Sequence, residues 1–151
     1  MQSSTHRFVP VFRSAVFLIL VVGAFGSTAV ADDSVLVVNL AGKFKACGAD
    51  NPGCEHISLY GDPAGEPNQH VYRFAKGYVF PKHWHVSTEN LVMVRGVITL
   101  NADGSREQNL KAGDYARIPA KLVHWGVCPE DCVFYLGVDG PDSFNMVEEN
   151  K

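Results

Sequence analysis

The stretch Gly77-Tyr-Val-Phe-Pro-Lys-His83-Trp-His85-Val-Ser-Thr-Glu89-Asn-Leu-Val-Met-Val-Arg-Gly96 sets two imidazoles one residue apart and a carboxylate four residues further on. A second stretch, Gly113-Asp-Tyr-Ala-Arg-Ile-Pro119-Ala-Lys-Leu-Val-His124-Trp-Gly-Val-Cys128, supplies another histidine. On an extended strand His83 and His85 project from one face about 7 Å apart, near enough for both rings to reach one ion at about 2 Å. Glu89 lies where the chain can turn and enter a neighbouring strand, so its carboxylate can add a negatively charged ligand. Three neutral imidazoles and one carboxylate suit a single divalent Fe, Mn, Cu, Ni or Zn ion, and on an ion that prefers five or six ligands they leave positions open for water or substrate. Such a centre acts as a Lewis acid on a small molecule chelated through two oxygens.

Strands are the elements that must hold these residues. Val35 to Leu40, Ile57 to Tyr60, Val71 to Phe74, Tyr78 to His85, Glu89 to Arg95, Val97 to Asn101, Tyr115 to Ile118, Val123 to Val127 and Val133 to Val138 are short and rich in Val, Ile, Tyr, Phe and Trp. Gly, Pro and Asn-Ala-Asp-Gly punctuation separates them, and no stretch has a sustained helical period. The fold class is therefore all-β, a sandwich or barrel in one domain. Pro81 is expected to introduce a bulge in its strand. Trp84 and Trp125 alternate with the histidines and are expected to point away from the ion. Tyr78, Phe80, Met93, Tyr115 and Arg117 are candidates for the pocket mouth, with Arg117 expected on a solvated strand face. His56 and His70, in turn-rich sequence, are expected at the surface.

The two histidine stretches resemble the paired motifs of the cupin superfamily. The first matches at Gly77, His83, His85, Glu89 and Gly96. The second matches at Gly113, Pro119 and His124, with Lys121 and Cys128 where the pattern has Gly and Asn. The resemblance covers about residues 57 to 145. It implies a double-sheet jelly-roll β-barrel, metal ligands His83, His85, Glu89 and His124, and, by similarity to quercetin-cleaving cupins, a second role for Glu89 as catalytic proton acceptor. The implied function is a metal-dependent enzyme of dioxygenase or lyase type acting on a small oxygen-rich or aromatic molecule. The alternative is a non-catalytic ligand-binding or sensing cupin, since the short domain is also similar to the zinc-binding half of ChrR-type anti-sigma factors. A homodimer is the assembly the superfamily suggests.

The 151 residues begin with a segment carrying Arg7 and Arg13 and no acid, followed by an apolar run from Ser14 to Phe25 and by Ala29-Val30-Ala31. That is the plan of a secretory signal peptide over residues 1–31, with an apolar run of about a dozen residues where a spanning helix needs roughly 20. The expected mature chain, 32–151, is a single domain of 120 residues with net charge −5, periplasmic or secreted and with no membrane attachment. No basic cluster is present to hold a nucleic acid. In an oxidising compartment the four cysteines are expected to form disulfides, Cys47–Cys54 and Cys128–Cys132 being favoured among the three possible pairings. A redox-active or metal-linked Cys128, four residues after His124, is the rival reading.

Overall fold

The computed structural model describes residues 35–148; the expected signal peptide, residues 1–31, lies outside them. Eleven strands follow one another: β1 Lys45–Ala46, β2 Cys54–Tyr60, β3 Asn68–Phe74, β4 Val79–Trp84, β5 Glu89–Arg95, β6 Val97–Ala102, β7 Gln108–Lys111, β8 Tyr115–Ile118, β9 His124–Val127, β10 Cys132–Val138 and β11 Asn145–Met146. They form two antiparallel sheets, β1-β2-β3-β10-β5-β8 and β11-β4-β9-β6-β7, which is the jelly-roll arrangement. Among the described residues no helix is long and apolar enough to cross a membrane.

Alternation along the strands builds the interior. In β10 every second residue from Cys132 to Val138 is buried, as the two-residue period of a half-covered strand requires. Strand register carries that inward face across the six-stranded sheet in successive rungs. Cys54, Phe74 and Cys132 form the first, and His56, Tyr72, Phe134 and Met93 the next. Ser58, His70, Leu136, Leu91 and Ala116 come third, and Asn68, Val138, Glu89 and Ile118 last. The apolar rungs lie at one end of the barrel, and the rung carrying Glu89 lies at the other.

Three expectations need correction. Val35–Leu40 is not a strand: it makes no ladder among the described residues, and Val35, Leu36 and Val37 are largely exposed, so β-propensity without a partner edge there leaves it irregular. His70 is not at the surface but 3% exposed, because β3 begins at Asn68 and turns the ring inward. His56 is half-buried, its ring stacked on His70 with centroids 6.0 Å apart.

Both favoured disulfides are formed and no cysteine is free. Cys47–Cys54 closes the loop between β1 and β2, and Cys128–Cys132 joins the end of β9 to the start of β10. Because Cys54 and Cys132 both oppose Phe74, the two cross-links gather at the same end of the barrel.

Candidate metal centre

Sequence parity on β4 would defeat the site without an irregularity. Phe80 lines the interior, and His83, three residues later, would face outward on a regular strand. The ladder with β9 instead passes from Phe80↔Gly126 to His83↔His124, three residues on β4 against two on β9. The extra residue is a bulge at Pro81–Lys82, and it returns His83 and His85 to the inner face. His83 then stands directly opposite His124 across the ladder, while Glu89 reaches in from the first residue of β5 on the other sheet.

A turn with an unusual backbone places His124. Lys121, in the position where the motif has glycine, has φ of 64°. It is the one non-glycine residue with positive φ among the described residues, and its N–H donates to the His85 carbonyl at 2.8 Å. The substitution leaves the left-handed turn in place, so the departure from the motif costs local strain and not the ligand position.

Each of the four side chains is buried, at 3 to 6% exposure. The ligand atoms of His83, His85 and His124 lie within 4.8 Å of one another, a grouping able to hold a metal ion. The Glu89 carboxylate adjoins it, with one oxygen 3.4 Å from His85 Nε2 and the other 3.4 Å from His124 Nε2. Neighbouring donors around an ion with bonds near 2.1 Å sit about 3.0–3.4 Å apart, so this spacing fits a shared ion. Ring orientation fits as well. His83 Nδ1–H donates to the Pro81 carbonyl at 2.6 Å, and His124 Nδ1–H donates to the Leu122 carbonyl at 3.0 Å. A carbonyl only accepts, so both rings carry their proton on Nδ1 and leave the Nε2 lone pair free. Burial pushes His83 down to about 4, against the hydrogen bond to Pro81, which acts in the other direction. The imidazole is therefore neutral near pH 7, the form in which it binds a metal.

His85 differs. Among the described residues its Nδ1 is buried without a hydrogen-bond partner, and the nearest carboxylate oxygen is Asp142 Oδ1 at 3.8 Å. Asp142 belongs to the segment between β10 and β11 that crosses the mouth of the barrel, where its own N–H donates to the Pro63 carbonyl. Two residues later the Phe144 ring stacks on His83 with centroids 3.9 Å apart. Neither residue carries a motif signal, and only the return of the chain over the mouth reveals them. Tyr72 was missed for the same reason: β3 brings it to the cavity, and burial, with the negative charges of Asp142 and Glu89 adding, raises its phenol above the ordinary range.

The histidines open into a cavity of ≈ 430 Å³ that extends through the barrel to the Cys47–Cys54 disulfide. Tyr78 and Phe80 line it as expected, but Met93 is core at 1% exposure, and Tyr115 and Arg117 lie outside it on the exposed face of β8. Trp84 stays out of the cavity, whereas Trp125 contributes to its lining with Lys82 Nζ 4.8 Å above the ring.

Residues 70–137 match a family model described as a cupin domain. No curated protein matches the chain. Among solved structures, it is similar to an RmlC-like cupin from Shewanella frigidimarina NCIMB 400, at 24% identity and TM-score 0.56 over 65% of this chain and 82% of that one. An acetylacetone dioxygenase from Acinetobacter johnsonii aligns at 16% identity and TM-score 0.65 over 83% and 84% of the two chains. A DMSP lyase from Ruegeria pomeroyi DSS-3 aligns at 19% identity and TM-score 0.55 over 62% of this chain and 50% of that one. With both motifs in place on the two-sheet barrel, residues 70–137 carry a cupin domain and the solved structures share its fold.

Proposed function

We propose that the protein is an exported mononuclear metal-binding cupin, an enzyme of dioxygenase or lyase type acting on a small oxygen-rich or aromatic molecule. The observation that carries this reading is the convergence of three buried imidazoles and one buried carboxylate at the polar end of the barrel cavity. His83, His85, His124 and Glu89 would hold one divalent transition metal, which supplies Lewis acidity and open coordination positions when bound. The chain's own residues do the rest. Pro81 and Leu122 fix the tautomers of two rings, and Glu89, when not bound to the ion, accepts a proton from a substrate held beside it. Export is supported by the N-terminal plan of residues 1–31 and by the two disulfides, which persist outside the reducing cytoplasm.

Elemental analysis of native protein and of the His83→Ala/His124→Ala double variant tests the centre. Loss of metal in the variant is expected, and undiminished metal content overturns the reading. Substrate-dependent turnover or O₂ uptake, assayed with Fe, Mn, Ni, Cu and Zn forms, then tests the enzyme assignment. One observation favours a non-catalytic ligand-binding or sensing cupin, namely the Phe144 ring stacked on His83 at the mouth. Tightly held zinc with no exchangeable water supports that alternative, and iron, manganese or copper with exchangeable water supports the enzyme.

A further inference from the structure

Beyond the histidines the cavity has a distinct chemical character. Tyr72, Phe74, Tyr78, Phe80 and Phe134 line one continuous aromatic wall, with neighbouring centroids from 4.5 Å for Phe74–Tyr78 to 6.4 Å for Phe80–Phe134. Leu91, Leu100 and Ile118 add aliphatic surface. The wall shares its cavity with the ligands, and Phe80 lies on β4 just before the bulge that turns His83 inward. Among the described residues no lysine or arginine lines the cavity, while Glu89 and Asp142 both do. The neighbouring cations are not part of the lining: Lys82 is exposed, with Nζ over the Trp125 ring, and Arg117 is exposed on β8.

Each feature excludes something. Four protein donors leave about two positions on a six-coordinate ion, which suits two oxygens of one molecule. An acidic tail would enter an apolar space with no cation to receive it, and burying such a charge unpaired is costly. A ring system gains offset and edge-on contacts with the aromatic wall, and ≈ 430 Å³ accommodates a molecule of bicyclic size.

The geometry points to an uncharged, planar aromatic molecule with two adjacent oxygens as the substrate class. Its oxygens lie at the histidines and its ring system runs along the wall of Tyr72, Phe74, Phe80 and Phe134. For the oxygen end this rests on the metal-centre reading.

Calorimetric titration of the Mn(II)-loaded protein with two oxygen chelators separates the possibilities: 2,3-dihydroxynaphthalene, which is aromatic and uncharged in solution, and malonate, which is a small dianion. The diol is expected to bind at least tenfold more tightly than malonate. Phe80→Leu is expected to weaken the diol at least threefold while leaving manganese content and malonate binding unchanged. Tyr78→Leu, at a half-buried position on the same wall, repeats the measurement if Phe80→Leu does not fold. Malonate binding as tightly as the diol, or diol binding indifferent to loss of the ring, overturns the substrate class and leaves the metal centre standing. Failure of the wild-type protein to take up Mn(II), Fe(II) or Zn(II) overturns both.

Discussion

Replacing Glu89 by Gln should move the stability of the metal-free and metal-loaded protein in opposite directions. Glu89 is 6% exposed, and its two oxygens face imidazole nitrogens at 3.4 Å on either side. Without an ion, a carboxylate at that depth bears a desolvation penalty that in proteins reaches several kcal/mol. The near-isosteric neutral amide removes much of it, so metal-free Glu89→Gln is expected to gain about 1–2 kcal/mol. With an ion present, the only anionic donor of the four is lost. Loss of an outer hydrogen-bond partner already lowers metal affinity 10- to 100-fold, so loss of a direct donor is expected to cost at least the upper figure. A hundredfold is about 2.7 kcal/mol. At metal concentrations far above both dissociation constants, the stabilisation gained from metal shrinks by that amount. For a domain of this size the metal-induced rise in Tm should fall by about 8–14 °C. Differential scanning fluorimetry of chelator-treated and metal-reloaded protein measures both quantities. Unchanged metal affinity in the variant would refute Glu89 as a ligand. A less stable metal-free variant would show instead that the carboxylate is held by favourable contacts with the flanking imidazoles.

Asp142→Ala removes the carboxylate nearest His85 Nδ1, 3.8 Å away and short of a hydrogen bond, and is expected to lower metal affinity by up to about 10-fold without changing the fold, as read by competition with a chromogenic chelator. Lys121→Gly relieves a left-handed residue costing about 1–2 kcal/mol, against about 0.5–1 kcal/mol of added chain entropy, so denaturant melts should show a net gain of about 0.5–1 kcal/mol. Gly96→Ala should fail to accumulate as folded protein, because the new Cβ would sit 2.2 Å from the Asp131 carbonyl oxygen at φ of 78°. A soluble variant of near wild-type stability would contradict that packing. Reduction of each disulfide, tested by Cys→Ser pairs in urea titrations, should cost about 2 kcal/mol on loop-entropy grounds.

The sequence is most readable where spacing and backbone requirement coincide. Gly96 and the His-x-His-x-x-x-Glu run carried the resemblance to the cupin motifs because one takes a left-handed backbone and the other brings its side chains to one site from two sheets. The strands containing them were legible from β-branched and aromatic runs. By contrast β1, β7 and β11 are two to four residues long, and their existence depends on the neighbouring strand that receives them. Val35–Leu40 erred the other way, having strand composition and no edge to join. His70 looked like a loop residue because Asn68 and Gln69, poor strand formers, precede it. Only the pairing Leu136↔His70 shows that it faces inward, where its Nε2–H donates to Asn68 Oδ1 at 2.8 Å. Asp142 and Phe144 escaped notice because their roles arise from a chain crossing over the mouth, which no local pattern encodes.

The placement of the disulfides gives the barrel a mechanical asymmetry. Cys128–Cys132 fastens β9 of one sheet to β10 of the other at the end remote from the histidines, while the three imidazoles and Glu89 belong to opposite sheets at the other end. An ion held jointly by His83, His124 and Glu89 would tie the same two sheets together at the mouth, so that a covalent bond at one end of the barrel would be matched by a coordinate one at the other.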